Sequence, residues 1–343
     1  MQISKILAGL LFLGGMALLG GMVWQVGTAG LLASLQALGP WVGPFLLIDA
    51  IPVLLHTAGW AACFRRRQRH LRLWQLCLVR LAGSAINQVT PTATIGGELV
   101  KVLLLKSSLP RGQATAAVVI DKASITIAQM FYLALGMLYL MRQLPLPEEL
   151  RLALSCAIGL ISLGLVGFVA SQRYGLLSKF VRGLGRLKIG QARLHRLSQR
   201  LVPVDRQLKA YYTTQPWRFV WSLLWHFFAY AFGGVKTYIL LRLLLGNHAP
   251  EFAQAVMAAV AVTALDQLFF FVPARLGTLE GVRFMVLSAL GVAPVYSLAF
   301  SLISRLDDLF WNGLGLLAYA LCSRLPLLPQ SHQPTTTSAS PSR

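Results

Sequence analysis

The sequence predicts an all-α polytopic integral membrane protein, with about six full transmembrane helices plus two re-entrant helical hairpins in an inverted repeat. Three observations lead there. Of 343 residues, 56% are apolar and 12% charged, whereas a soluble globular domain carries about 25% charge. Apolar runs long enough for a bilayer-spanning helix, about 20 residues, recur along the chain. Two further apolar stretches are broken near their middle by Pro and Gly. The 31 Lys and Arg against 11 Asp and Glu leave a formal charge of +20, which in a soluble protein would suggest nucleic-acid binding. A mean hydropathy of +0.64 puts most of the chain beyond the reach of a duplex. The basic excess therefore reads as membrane topology, and no nucleic acid is expected as a partner.

In chain order the first apolar run, 6–26, exceeds the core of a signal peptide, about 7 to 15 residues, and reads as a retained span. Uninterrupted runs follow at 41–64, 114–141, 150–171, 217–245 and 294–322. The stretch 71–105 is broken by Pro91-Thr-Ala-Thr-Ile-Gly96-Gly97, and 252–290 by Pro273-Ala-Arg-Leu-Gly277. Their second arms, about ten residues from Glu98 and Glu280, are too short to cross at about 1.5 Å per residue. Both stretches are thus expected to be re-entrant, a backbone path tolerated only against protein or a wet cavity.

Cytoplasmic loops carry excess Lys and Arg. Arg65 to Arg69 with Arg72 marks one inside loop, and 173–209, with ten basic residues against Asp205, marks another. Residues 27–40 and 246–251 carry no Lys or Arg, and 142–151 balances two basic residues against Glu148 and Glu149. Those three lie outside. Both termini are then cytoplasmic, and the localisation expected is the plasma (inner) membrane.

Shifting the sequence by 182 residues lays Pro91 on Pro273, Glu98 on Glu280 and Lys101 on Arg283. Neighbouring spans coincide under the same shift, and the charge rule sends the two hairpins in from opposite faces. Residues 1–325 are therefore expected to form a single transmembrane domain, with repeat halves near 41–141 and 217–322. Between the halves lies a basic segment, 173–216. Leu177, Phe180, Val181, Leu184 and Leu187 form one face there, and Lys179, Arg182 and Arg186 another, as in an in-plane helix on an anionic leaflet or a plain solvated loop. A Ser/Thr/Pro-rich tail, 326–343, is expected to be disordered. Paired Gly/Pro-interrupted segments in inverted halves point to a transporter's binding site.

The half-helices predict the chemistry. A helix beginning in mid-membrane offers unpaired N–H groups and the positive end of its dipole to an anion. Gly96 and Gly97 would let a ligand approach the first closely, Gly277 opens the second, and Lys101 or Arg283 adds a full charge one turn in. Glu98 and Glu280 admit two readings. Each favours its own helix start and pairs with the basic residue at i+3, or a desolvated carboxyl serves proton coupling.

Supporting polar groups are expected from neighbouring elements. Asn87 would satisfy backbone groups freed at Pro91, and Pro273 marks the equivalent break. Asp121 with Lys122, and Arg305 with Asp307 and Asp308, follow the hairpins and read as interhelical ion pairs bracing them, the alternative being direct contact with substrate. Asp49 and His56, seven apart on one helix face, read either as cavity lining or as a buried pair. Arg80 either snorkels to the inner interface or points inward. His226, Lys236, Asp266 and Gln267 are weaker candidates. Trp41, Trp74, Trp217 and Tyr319 are expected at the interfaces. The four cysteines (Cys63, Cys77, Cys156, Cys322) show no metal or redox spacing, so neither metal nor cofactor is expected.

The run Asn87-Gln-Val-Thr-Pro91-Thr-Ala-Thr-Ile-Gly96-Gly97-Glu98-Leu-Val-Lys101, the pair Asp121-Lys122 and the later Gly277-Thr-Leu-Glu280-Gly281 resemble the lysylphosphatidylglycerol synthase transmembrane, or flippase-like, family. The resemblance covers roughly residues 5–325. It implies kinship with the lipid-translocating membrane domain of aminoacyl-phosphatidylglycerol synthases and with hopanoid-biosynthesis-associated membrane proteins. The family usually shows Glu-Arg where this chain has Asp121-Lys122, and often Arg where Lys101 stands, which removes a bidentate grip on phosphate.

With Arg343 as the last residue no soluble transfer domain is expected to follow, so aminoacylation is not expected. The function implied is lipid transport or flipping of a polar or anionic lipid between leaflets. Membrane lipids, and lipid-biosynthetic enzymes with them, are the expected partners. Alternatives are an intramembrane lipid-modifying enzyme, for which no catalytic signature is present, or a non-transporting accessory protein in membrane-lipid synthesis.

Overall fold

The computed structural model describes residues 38–64, 71–89, 95–106, 108–143, 148–173, 206–269 and 277–324, with single positions at 32, 36, 202, 272 and 275. The expected span 6–26, Pro91, Pro273, the amphipathic face at 177–187 and the tail 326–343 lie outside the described residues.

The described chain is helical throughout, with no strand. The apolar run 41–64 forms two helices, α1 (Val42–Ile48) and α2 (Ala50–Ala62), joined at Asp49. Pro52 supplies the reason: it lacks the N–H that the Ile48 carbonyl would accept four residues back. Helices α3 (Leu73–Val89) and α4 (Ile95–Leu105) follow, then α5 (Arg111–Gln143) and α6 (Glu148–Arg173). Pro216 opens α7 (Pro216–Leu245), where a missing N–H costs nothing. A reciprocal Glu251–Gln254 capping box starts α8 (Phe252–Asp266). Helix α9 (Thr278–Ala289) begins after Gly277, whose φ of 74° suits a residue without Cβ. The last helix is α10 (Pro294–Arg324).

Among the described residues four stretches are long and apolar enough to cross a membrane: Gly39–Ala62, Arg111–Gln143, Pro216–His248 and Phe252–Phe269. The last, the first arm of the interrupted stretch 252–290, has 18 residues that rise about 27 Å. In α10, Arg305, Asp307 and Asp308 cut the apolar run. By contrast α4 has 11 residues and α9 has 12, rising about 16 to 18 Å against a hydrocarbon core of about 30 Å.

The surface and the interior are inverted relative to a soluble protein. Leu47, Ile51, Leu54, Leu99, Leu103 and Phe131 are exposed, while Arg80, Lys101, Asp121, His226, Glu280 and Asp307 are buried. Only a hydrocarbon solvent makes that distribution favourable. Trp41, Trp74, Trp217 and Tyr319 are among the exposed aromatics.

The two halves repeat one set of helix contacts. Helix α3 packs on α4 and on α10, and α8 packs on α9 and on α5. At the centre α2 and α7 run antiparallel: Asp49 meets Lys236, His56 meets His226, and the Ala62 carbonyl meets Arg218. Arg218 donates to the Ala61 and Ala62 carbonyls at 3.0 Å each, and Tyr211 Oη to Ala62 at 3.0 Å, satisfying carbonyls left open at the end of α2. Trp311 Nε1 of α10 donates to the Leu46 carbonyl of α1 at 2.9 Å. Small residues let the helices close: a Cβ at Gly136 of α5 would stand 2.5 Å from Val260 of α8, and one at Gly315 of α10 would stand 2.5 Å from the Leu81 carbonyl of α3.

Candidate polar site in the membrane interior

Three charged clusters lie within this apolar shell. The first is centred on Asp121 of α5, whose side chain is 1% exposed. Arg80 Nη1 of α3 lies 3.2 Å from one carboxylate oxygen and 3.3 Å from the other. Lys101 Nζ of α4 stands 3.7 Å away, and His226 Nε2 of α7 3.2 Å away. His226 Nδ1 in turn meets His56 Nδ1 of α2 at 2.9 Å, so one of these nitrogens carries the proton and the other accepts. Gly59 makes room for the His226 ring, which a Cβ there would approach to 2.7 Å. Side chains of α3, α4 and α7 thus converge on one carboxylate of α5, and α2 joins them through His226.

Lys101 Nζ also pairs with Glu98 at 3.0 Å and lies 5.5 Å from the Trp60 ring, so its ammonium is engaged by both. The i+3 pairing expected at the start of the first half-helix is present there. Asn87 Oδ1 accepts from the Gly97 N–H at 2.6 Å, the service expected of it. Gly97 itself corrects the expectation of close ligand approach: a Cβ there would lie 1.9 Å from the Gly83 carbonyl. Its lack of a side chain serves contact between α3 and α4. Lys122 occupies an exposed position on α5.

The second cluster surrounds α9. Glu280, fully buried, pairs with Arg305 of α10 and not with Arg283 three residues on. Arg283 Nη2 instead donates to Asp308 at 3.1 Å. The two halves therefore share a sequence spacing but not a pairing: Arg305 of α10 takes Glu280, whereas Glu98 keeps Lys101 of its own helix. Arg275, in the break before α9, pairs with Asp266 at 2.5 Å and gives its carbonyl to Arg305 Nη2 at 3.1 Å. Its φ of 51° is uncommon for a residue with a side chain, and these contacts hold it. The sequence reading gave Arg275 no role; an arginine inside an interrupted membrane segment was the available signal.

The third cluster joins Asp49, Lys236 and Asp307. Lys236 Nζ lies 2.7 Å from Asp49 Oδ2, contacts Asp307 Oδ2, and stands 5.3 Å from the Phe45 ring. Asp49 and His56 are consequently not a pair: one faces Lys236, the other His226. Of two weak candidates by sequence, Lys236 sits at the centre of its cluster and His226 links Asp121 to His56. Arg80 points inward, its side chain 8% exposed.

Beside this cluster a cleft of about 160 Å³ opens between α7, α8, α9 and α10. Its walls include Leu240, Val262, Leu287 and Phe300, and Lys236 and Arg283 reach it. The family model for the lysylphosphatidylglycerol synthase TM region matches residues 5–312, a range that takes in all three clusters. The chain belongs to this family. A UPF0104 membrane protein of Pyrococcus horikoshii is 22% identical over 278 residues, covering 78% of this chain and 82% of that protein. No solved structure matches the chain. In this member of the lysylphosphatidylglycerol synthase TM region family, the Asp121-Lys122 positions divide: the first is the hub of the buried ion-pair cluster and the second faces outward.

Proposed function

We propose that the chain is a lipid transporter or flippase of the plasma (inner) membrane, moving a polar or anionic lipid between leaflets with its headgroup in the cleft beside Arg283 and Lys236. One observation carries the reading. Arg283 spends Nη2 on Asp308, while its buried Nη1 has no hydrogen-bond partner among the described residues, and the residue lines a cleft whose other walls are largely apolar. A guanidinium with an open donor in an apolar slot suits a phosphate whose acyl chains stay in hydrocarbon. Lys236 adds a second cation to the lining.

In this reading α3–α4 and α8–α9 are the two re-entrant hairpins of inverted halves, with six full spans and both termini cytoplasmic. The antiparallel pairing of α2 with α7 and the repeated contacts of α3 with α10 and α8 with α5 support it. Net pumping would draw on a gradient or a partner.

The test is movement of a headgroup-labelled anionic phospholipid across liposomes containing the purified full chain. Arg283→Gln should slow it about tenfold or more, the weight of one charge-assisted hydrogen bond. Redistribution that is independent of Arg283 sinks the site. A new lipid species by mass spectrometry would mark an enzyme instead, and neither redistribution nor product would mark an accessory protein.

A further inference from the structure

The three clusters differ in charge arithmetic. Around Asp121, Arg80 and Lys101 meet Asp121 and Glu98. Around α9, Arg275, Arg283 and Arg305 meet Asp266, Asp308 and Glu280. Each of those sets balances. Lys236, however, is shared by two carboxylates, Asp49 and Asp307, leaving one negative charge over. Asp307 is fully buried, and its Oδ1 has no hydrogen-bond partner among the described residues. Both carboxyls reach the one Lys236 Nζ, so Asp49 and Asp307 stand side by side about it.

We infer that Asp49, Lys236 and Asp307 form a proton-binding site, in which the two carboxyls share one proton beside the ammonium. An uncompensated charge in an apolar interior costs several kcal/mol, and two adjacent carboxylates relieve that cost by holding a proton between them. Among the described residues no other cation stands ready to balance them. Arg283 shares the cleft but is met by Asp308, Arg305 of the same helix is turned to Glu280, and Arg80 of the adjoining α3 is held by Asp121. Asp266 of α8 is occupied by Arg275. The place between the carboxylates that a metal ion would take is filled by Lys236 Nζ, which favours the proton over sodium.

Exchange has a route as well. Lys236 is 19% and Asp49 24% exposed at the side chain, against 0% for Asp307, and Lys236 lines the cleft. The shared proton therefore lies one residue from the proposed headgroup slot. Its use in driving transport rests on the transport reading; the proton site itself does not.

Infrared spectra of the full chain in liposomes, without lipid substrate, test the site. Wild-type protein near neutral pH in potassium buffer should show a protonated-carboxyl band that shifts in D2O and disappears as one proton is titrated off. Asp49→Asn and Asp307→Asn should each remove it, and Glu280→Gln should leave it. Lys236→Met should raise the band about twofold, because both carboxyls then need a proton. Absence of the band in wild type, its persistence in both asparagine variants, or its replacement on adding sodium at constant pH would each overturn the inference. The wild-type titration and the sodium arm read out even if a variant does not fold.

Discussion

Gly97 shows how a residue chosen by sequence can matter for a reason other than the one expected. Its hydrogen atom faces the Gly83 carbonyl across the α3–α4 hairpin, and its N–H is already given to Asn87. Gly97→Ala should therefore lower the melting temperature of the purified protein, by the equivalent of about 1 to 3 kcal/mol for forced overpacking. Gly43→Ala, where an added Cβ meets nothing within 4 Å, is the control and should leave melting unchanged or slightly raised. Spacing alone made Glu98 with Lys101 legible, since residues three apart on a helix are neighbours. The same spacing misled at Glu280, because its partner Arg305 comes from 25 residues away on another helix, and a linear pattern holds no record of which distant side chain arrives first. Arg80, His226 and Lys236 were visible as charges in apolar surroundings, yet their convergence on Asp121 and Asp307 depends on how α3, α7 and α10 cross.

At the scale of elements, the seams between the halves rest on glycine. Gly136 of α5 abuts the Val260 side chain, whereas Gly315 of α10 abuts the Leu81 backbone carbonyl. A side chain can be cut back and a carbonyl cannot. Gly136→Ala should thus destabilise by about 1 to 3 kcal/mol and be partly rescued by Val260→Ala, while Gly315→Ala should resist rescue by Ala85→Gly. Thermal melts of the four variants in one detergent decide it; equal rescue at both seams would refute the packing account. Helix positions were largely readable, because apolar runs at 41–64, 114–141, 217–245 and 294–322 correspond to the observed α1–α2, α5, α7 and α10. The joint at Asp49 and the full length of Phe252–Phe269 were not. A Pro inside a run permits either a bend or a break, and an apolar run ahead of a Pro/Gly cluster has the same composition whether or not it crosses.

For the whole molecule, the proposed inversion makes a statement about sidedness. In a variant lacking Cys63, Cys77, Cys156 and Cys322, a cysteine at Ala293 should react with an impermeant maleimide added outside intact cells. One at Lys106 should react only after permeabilisation. Both positions are exposed, so labelling of the two from one face would exclude hairpins entering from opposite sides. Trp311 stands one helical turn beyond Asp307 on α10, and its indole holds the Leu46 carbonyl before the Asp49 joint while Lys236 ties Asp307 to the joint itself. Prising α10 away would break the hydrogen bonds of several buried polar atoms, at about 1 to 3 kcal/mol each. If the proposed transport rocks this half, α1, α7 and α10 should move together as one lever, pivoting where Pro52 interrupts the helix.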